Sequence, residues 1–383
     1  MLTPNIVFKN FNNKKKNIKL KKLLIKILNQ DNSIIKSLGK GYKLKFIKSK
    51  IIKYKKFKNF RIIGMGGSSL GAQAIYDFLK NKIKKNFIFI DNLKEHEIIK
   101  KQRYLNLIIS KSGNTLETIV NANIILKKHH KNIFITEDKP SYLSFLAQKL
   151  KADIIHHNNY IGGRYSVLSE VGMLPAELMG LNTNKFKQLN YLIKNKKFLQ
   201  NLILNVASII ENINKKKFNS IIINYEQDFN SLLYWYQQLV AESLGKKNKG
   251  ILPMISNMPK DNHSLMQNYL DGCKNNFFTF FYYTNKKSLK INSKEILNTH
   301  SFLKNKSINQ ILLAQKNATE NIFIKKNIPF RTFEIKSKNE KTLGELFTFF
   351  ILETILLGLA LKINPYDQPS VELIKRETKK LLI

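Results

Sequence analysis

Short apolar runs alternate with longer amphipathic stretches between residues 60 and 158. The runs are brief, rich in β-branched and aromatic residues, and bounded by polar or turn residues, which is typical of buried strands. Helical stretches such as Gly71–Leu79 and Thr115–Lys128 fill the gaps. This βαβ alternation predicts an α/β fold with a doubly wound parallel sheet. The predicted strands are Phe60–Gly64, Phe87–Asp91, Leu105–Ser110, Ile133–Thr136 and Asp153–His157.

The second half of the chain repeats this plan more loosely. Its apolar run over residues 346–361 carries Glu353 and is shorter than the roughly 20 residues of a membrane span, so we expect a buried helix. We expect a helical N-terminal segment over 1–50, two α/β domains over 51–190 and 191–340, and C-terminal helices over 341–383. The predicted strands and helices of this half are Ser220–Tyr225, Phe229–Ser243, Phe277–Tyr283, Phe330–Ile335 and Thr342–Leu361.

Charge changes the picture less than its size suggests. Lys and Arg total 66 against 26 Asp and Glu, which gives a net charge of +40 and invites a nucleic-acid partner. Only five of the basic residues are Arg, the side chain preferred for bidentate phosphate and base contacts, and the lysines are dispersed. We therefore expect a solvated lysine-rich surface, with neither nucleic acid nor a membrane as partner. The single cysteine, Cys273, and the lack of a secretory signal at the N-terminus favour a cytoplasmic protein.

The glycine-rich loop Gly64–Gly71 follows the first predicted strand and opens a helix. Closely spaced glycines let the backbone approach a ligand, and a helix N-terminus presents N–H groups to an anion. We expect Gly67 and Ser68 to contact a phosphate. Two alternatives remain open for this loop: a dinucleotide site, although Ser69 stands where a third glycine is usual, and a tight turn without a ligand.

A second loop, Ser110–Thr118, follows the third predicted strand. Its hydroxyl groups, one glycine and a helix start form a second anion cradle. The alternative is that these residues only cap the helix, with Asn114 and Glu117 as a capping box. The expected phosphate contacts of this loop are Ser110, Lys111, Ser112 and Thr115.

These two loops and the motifs that follow them resemble the family of glucose-6-phosphate isomerases, which consist of SIS domains. The strongest match is Gly162–Ser169, with the sequence GGRYSVLS, continuing to Pro175. Weaker matches follow in the family's order at Glu242–Lys246, Asp261–Ser264 and Asp367–Glu372 with Lys375, so the resemblance spans residues 64–375. This sequence departs from the family pattern at Leu244, Asn262, Ser370 and Ile374.

The resemblance implies an aldose–ketose isomerase of glycolysis and gluconeogenesis that interconverts glucose 6-phosphate and fructose 6-phosphate without a metal or other cofactor. It implies two SIS-type doubly wound parallel-sheet domains in three-layer αβα arrangement, with helical terminal segments. It also implies a homodimer in which His263 reaches the neighbouring subunit's site. The alternatives are an isomerase that also accepts mannose 6-phosphate, a non-catalytic SIS-domain sugar-phosphate sensor, and a nicotinamide dehydrogenase.

By the same resemblance, each site residue has an expected role. Glu242 is the base that moves a proton between C1 and C2, and Arg164 stabilises the enediolate. His263, with Lys375, opens the sugar ring. Gly163 and Gln368 contact the substrate.

Overall fold

The computed structural model describes residues 2–11, 17–94, 103–127, 130–285 and 287–383. Apart from the residues left out, the chain forms two compact units. The Arg164 unit comprises Ile18–Leu202, Asp228–Gly250 and Lys338–Ile383. The His263 unit comprises Met1–Asn17, Ile203–Gln227 and Ile251–Ser337. Each unit is thus assembled from three stretches of chain, whereas the boundaries expected from sequence are contiguous.

The Arg164 unit contains a five-stranded parallel sheet in the order β3-β2-β4-β5-β6. All five strands were predicted, and the observed bounds differ by only one or two residues because the buried apolar runs define them. Their apolar side chains form a core that includes Ile63, Ile108 and Phe134. The strands are β2 (Asn59–Ile63), β3 (Asn86–Ile90), β4 (Tyr104–Ile109), β5 (Lys131–Thr136) and β6 (Asp153–His156).

The helices of this unit come from three parts of the chain, and α5 (Leu116–Ile125) and α6 (Tyr142–Lys149) pack against the sheet. The predicted helix Thr115–Lys128 is observed as Leu116–Ile125, and Lys128 lies outside the described residues. Two further helices, α10 and α13, come from later in the sequence, and α10 packs against both α4 and α13. The helices of the unit are α1 (Ile18–Asn29), α2 (Ser33–Ser37), α3 (Lys48–Ile52), α4 (Leu70–Phe78), α5 (Leu116–Ile125), α6 (Tyr142–Lys149), α7 (Glu170–Leu178), α8 (Leu189–Leu192), α10 (Asn230–Leu244), α13 (Glu340–Ala360) and α14 (Pro369–Leu381).

Helix α13 is the buried helix expected from sequence. By length and composition alone it is apolar enough to cross a membrane, but 89% of its apolar window is buried inside the protein, as in the core helix of a globular unit. Its internal carboxylate, Glu353, accepts a hydrogen bond of 2.6 Å from the Tyr236 hydroxyl, which offsets the cost of burying it. The prediction of a buried helix is therefore confirmed.

The His263 unit contains the second sheet, in the order β1-β10-β9-β7-β8, with β1 antiparallel and the other strands parallel. Strands β1 and β8 escaped prediction. Both lie at sheet edges, and the second residue of β8 is Pro253, which an edge strand tolerates. The elements are β1 (Ile6–Lys9), β7 (Asn219–Asn224), β8 (Leu252–Asn257), β9 (Asn276–Tyr283), β10 (Phe330–Ile335), α11 (Met266–Asp271) and α12 (Ile308–Lys325), with α9 (Lys196–Asn214) at the boundary.

Candidate active site

Both predicted phosphate loops lie at the carboxyl ends of neighbouring strands. The chain leaves β2 for β3 on one side and returns to β4 on the other, so the strand order reverses between β2 and β4. The loop Gly64–Gly71 follows β2, and Ser110–Thr118 follows β4. Ligands of open α/β sheets bind outside the carboxyl ends of the strands at such a switch point. The topology therefore places both loops where a ligand is expected.

The first loop packs its backbone against the turn that carries Arg164. A Cβ atom added to Gly67 would lie 2.2 Å from the carbonyl carbon of Gly163, so only glycine permits this approach. Gly66 has a φ of +53° and faces the amide group of Gln238. Gly66, Gly67 and Ser68 form a 3-10 turn that ends just before α4 begins at Leu70. The two glycines predicted to contact substrate, Gly67 and Gly163, thus contact each other.

The second loop is organised by its hydroxyl groups. The Ser110 and Thr115 hydroxyls lie 2.8 Å apart, and the Ser112 hydroxyl accepts from the backbone N–H of Asn114 at 3.2 Å. The capping box expected at Asn114 is wrong. Thr115 is the N-cap residue and makes no side-chain capping bond, while the Asn114 side chain accepts from Tyr142 N–H at 3.0 Å. The N-terminus of α5 therefore has no side-chain cap.

Lys111, which was expected to contact the phosphate, forms an ion pair with a protein carboxylate. Its ammonium group lies 3.3 Å from a carboxylate oxygen of Glu137, and the Lys111 side chain is one-third exposed. Glu137 also lies 3.4 Å from the ammonium group of Lys139. A phosphate contact by Lys111 would have to compete with this ion pair.

Arg164 is the most fully engaged side chain of the site. The 3-10 turn Gly163–Leu168 carries it, and it is 2% exposed. Its Nε donates to the Ser243 hydroxyl at 2.8 Å, and one terminal nitrogen donates to Glu242 at 3.2 Å and to Gln368. The other terminal nitrogen donates to the carbonyl oxygens of Pro365 at 2.8 Å and Asp367 at 3.1 Å. All five N–H donors of the guanidinium are therefore bound by protein groups.

Glu242 is held by both carboxylate oxygens and still reaches solvent. Oε2 accepts from Arg164, and Oε1 accepts from the Gln238 amide at 2.9 Å. Gln238 lies one turn earlier on α10, which places both side chains on one face of the helix. The Glu242 side chain is 28% exposed, against 1% for Arg164. A fixed, accessible carboxylate beside a permanent cation has the geometry of a positioned base.

The segment that carries Gln368 is fastened by residues that sequence reasoning did not single out. Lys246 donates to the Asp367 carboxylate at 2.6 Å and to its carbonyl oxygen at 2.6 Å. The Tyr165 hydroxyl lies 2.9 Å from the Ser243 hydroxyl and donates to the Pro365 carbonyl at 2.9 Å. Burial raises the pKa of Tyr165 to about 12, so this phenol stays a donor. The matched motifs contain Tyr165, Ser243 and Lys246, but only the structure shows that they meet.

Two further predicted site residues have exposed side chains. Lys375 is on the exposed helix α14, where its ammonium group pairs with Glu372 at 2.7 Å, one turn earlier. His263 ends the 3-10 turn Lys260–His263 of the His263 unit and is exposed. Within that turn region, Asp261 accepts from Asn257 N–H at 2.6 Å and from the Ser256 hydroxyl at 3.1 Å.

Other features of the described residues do not point to a competing site. A cavity of about 930 Å³ lies within the His263 unit, lined by residues such as Phe11, Glu211 and Phe330, and none of the predicted site residues lines it. Across the described ranges, no group of three or more His, Cys, Asp and Glu side chains is arranged to hold a metal ion.

Solved structures with this arrangement define the class of fold. A hypothetical protein from Thermus thermophilus matches with a TM-score of 0.83 at 21% sequence identity, over 95% of this chain and 94% of that one. A glucose-6-phosphate isomerase from Chlamydia trachomatis matches with a TM-score of 0.72 at 18% identity, over 98% and 80% of the two chains. The chain therefore shares the two-sheet α/β fold of these two solved structures.

Sequence comparison gives the particular family. The phosphoglucose isomerase profile matches residues 40–256. The glucose-6-phosphate isomerase of Mycoplasmopsis pulmonis is 34% identical over 84% of this chain and 82% of the relative. That of Methanocaldococcus jannaschii is 32% identical over 89% and 88%. The chain belongs to the phosphoglucose isomerase family, which confirms the resemblance carried by the ordered motifs.

Proposed function

We propose that this protein catalyses the reversible isomerisation of glucose 6-phosphate to fructose 6-phosphate, in glycolysis and gluconeogenesis. The observation that carries the proposal is the carboxylate of Glu242, fixed between Arg164 and Gln238 in a member of the phosphoglucose isomerase family. The comparisons do not favour a non-catalytic sensor or a dehydrogenase. The free thiol of Cys273 is consistent with a cytoplasmic enzyme.

Proton transfer between C1 and C2 is the step that the site supports best. Glu242 takes the proton from one carbon and returns it to the other, while the developing enediolate needs a cation or donors nearby. Because every N–H of Arg164 is engaged, Arg164 first acts by fixing Glu242 and Gln368. Arg164 can donate to the enediolate oxygen only after its hydrogen bond to Glu242 or Gln368 breaks.

Substrate is held at its phosphate, away from the reacting carbons. In this proposal the phosphate accepts from Ser68 and from the hydroxyls of Ser110, Ser112 and Thr115, at the start of a helix without a side-chain cap. Binding energy from the phosphate then orients C1 and C2 against Glu242. Lys111 contributes only if it leaves Glu137.

Ring opening is assigned to His263 and Lys375. The histidine is supplied by the second subunit of a homodimer, so that each site is composite. The family relationship supports this assignment, and His263 and Lys375 both have exposed side chains that remain accessible.

A coupled assay tests the activity. The purified protein is incubated with fructose 6-phosphate, NADP⁺ and a glucose-6-phosphate dehydrogenase. We expect NADPH formation that depends on the protein. No formation above the blank would contradict the proposed function. Mannose 6-phosphate in a parallel assay measures the breadth of specificity.

Mixing two inactive variants tests the composite site. Glu242→Gln and His263→Ala subunits are unfolded together, refolded and assayed beside each variant alone. In a random mixture half the dimers are mixed, and each contains one intact site, so about a quarter of wild-type activity should return. A mixture no more active than its components would show that His263 serves its own subunit's site or none.

A further inference from the structure

The turn that carries Arg164 has two ends that must be held in place. It begins after Ile161 and ends at Leu168, and α7 starts at Glu170 directly beyond it. The turn has only short-range backbone bonds of its own, such as Tyr165 N–H to Gly162 O at 2.9 Å and Ser169 N–H to Ser166 O at 2.9 Å. Besides the bonds that Arg164 and Tyr165 make from within the turn, side chains from outside it bind both of its ends.

His157 holds the start of the turn. The residue is 3% exposed, and its Nε2 lies 3.0 Å from the carbonyl oxygen of Ile161, immediately before Gly162. Its Nδ1 lies 3.7 Å from a carboxylate oxygen of Glu170. Both ring nitrogens thus face oxygen atoms, and Nε2 lies within hydrogen-bonding distance of its oxygen. His157 thereby connects the residues on either side of the Arg164 turn.

Lys187 holds the end of the turn. It is 4% exposed, and its ammonium group donates to the carbonyl oxygens of Leu168 and of Ser37, the latter at 2.6 Å. The same ammonium group lies 5.0 Å from the ring centroid of Tyr42. A lysine with its charged end buried among backbone carbonyls is rare, because burial costs more than a surface position.

Glu170 connects the contacts of His157 with those of Lys187, because it lies beside His157 and accepts hydrogen bonds from Tyr42, whose ring faces Lys187. Its carboxylate accepts from the Tyr42 hydroxyl at 3.1 and 3.2 Å and from Lys45 N–H at 3.0 Å, and it lies in the first turn of α7, where a negative charge is favoured. Although burial by itself raises the pKa of Glu170, the pairing with His157 and the bonds from backbone N–H groups hold that pKa below its usual range. The carboxylate therefore stays charged.

We propose that His157 and Lys187 are positioning residues that fix the Gly163–Leu168 turn and, through it, the guanidinium of Arg164 against Glu242. The inference rests on the proposed isomerase function for its kinetic test. Buried charges of this kind contribute little net stability compared with apolar side chains of similar size. Their role at this turn is instead to fix the geometry of Arg164.

The kinetic test compares two substitutions of His157, each of which can replace only one of its ring nitrogens, with a substitution of the neighbouring His156. Asn at position 157 can replace Nδ1 but is too short to reach Ile161, whereas Gln can place an amide near the Nε2 position. We expect His157→Asn to lower kcat about 10- to 100-fold, because small misplacements of a catalytic group have effects of this size. KM should stay within about threefold, since the phosphate loops are untouched. His157→Gln should recover most of the loss.

The matched control is His156→Asn. His156 is adjacent in sequence but half-exposed, and it pairs with Asp138 at 3.5 Å, so its substitution should leave kcat unchanged. A wild-type kcat in His157→Asn, or a loss that His157→Gln does not recover, would overturn the inference. If His157→Asn does not fold, Lys187→Met is measured instead. The same kcat loss is expected there, and a wild-type kcat contradicts the proposal.

A readout independent of activity separates this inference from the proposed function. Amide hydrogen exchange over residues 163–169 should accelerate at least about tenfold in His157→Asn and stay unchanged in His156→Asn. Inactive wild-type protein with this exchange pattern would contradict the isomerase proposal and leave the positioning role intact. Active wild-type protein with equal exchange in both variants would support the isomerase proposal and contradict the positioning role.

Discussion

Two regions that contain predicted site residues differ sharply in how they are built. The Arg164 turn is buried, and its guanidinium has all five donors bound by side chains and carbonyl groups from α10 and from residues 365–368. Helix α14 has no buried residue, and its Lys375 forms an ion pair with Glu372 on the same helix. The region proposed to transfer the proton is therefore preorganised, and the helix proposed to assist ring opening is not.

The difference is chemically reasonable for an isomerase. Moving a proton between adjacent carbons requires a base held within a few tenths of an ångström, which a buried network provides. Ring opening needs an acid and a base near the ring oxygen for only one step of the cycle. Groups on exposed elements can serve that step if substrate or a second subunit brings them to the site. Variants in the two regions should consequently behave differently.

The largest effect should come from the base itself. Glu242→Gln keeps the shape of the side chain and its hydrogen bond from Arg164 but cannot accept a proton. We expect kcat to fall about 10³- to 10⁴-fold, as for other essential general bases, while thermal stability changes little. Steady-state kinetics and a melting curve measure both quantities. Glu377→Gln, on exposed α14, where the carboxylate pairs with Lys380, is the matched control and should retain activity; equal losses in both variants would remove Glu242 as the base.

The next effect should come from Arg164→Lys. Lysine keeps the charge but has three donors on a single nitrogen, so it leaves buried acceptors among Ser243, Pro365 and Asp367 without partners. We expect kcat to fall about 100-fold, and the free energy of unfolding to fall by about 2–3 kcal/mol. Denaturant titration measures the second value. An active, equally stable variant would show that the network does not organise the site.

Lys375→Ala should separate activity from stability. Because Lys375 is exposed, its removal should not change the melting temperature, whereas kcat should fall about tenfold if it assists ring opening. Lys379→Ala, four residues further along the same helix, is the control and should match wild type. If both variants match wild type, Lys375 has no role in the reaction.

The last prediction concerns the pH dependence of stability, through the lysine that binds the end of the Arg164 turn. Burial lowers the pKa of Lys187 to about 7, against about 10.4 in an unfolded chain. Between these values the unfolded chain binds more protons, so stability rises with pH. Relative to Lys187→Met, wild-type protein should gain up to about 1.4 kcal/mol per pH unit from pH 7 toward 10, and nothing below pH 7. Denaturant titrations across this range, with exposed Lys185→Met as control, measure it; parallel curves for all three proteins would contradict it.

Local patterns were sufficient for most of the fold. The strands β2–β6 were predicted within two residues because each is a short run rich in apolar residues, and the central strands β2, β4 and β5 are buried along almost their whole length. Strand β1, with only four residues, and strand β8, which contains Pro253 and has exposed residues at its first and third positions, give a weaker signal. The division into two units could not be read from sequence order, since α10 packs with α4 and α13 packs with α1, each far from its partner along the chain. Residue patterns report local burial and not the partner that provides it.

The main residues of the candidate site could be predicted from the sequence, but the residues that hold them in place could not. The ordered motifs identified Arg164, Glu242 and Gln368, which the structure brings together. The supports are ordinary polar residues, Gln238 on α10 and Lys246 just beyond its end, and only tertiary contacts give them a role. The capping box considered at Asn114 does not form, because the Asn114 side chain accepts a hydrogen bond from Tyr142 N–H instead. Capping rules consider only one helix at a time.

Solvent deuterium exchange followed by NMR tests the central claim most directly. The protein is incubated with fructose 6-phosphate in D₂O, and incorporation of deuterium at C1 of fructose 6-phosphate and C2 of glucose 6-phosphate is measured for wild type and Glu242→Gln. Base-mediated transfer through an enediolate predicts incorporation with wild type and a loss of at least about 10³-fold in the variant. Undiminished incorporation with Glu242→Gln, or none with wild type, would contradict it.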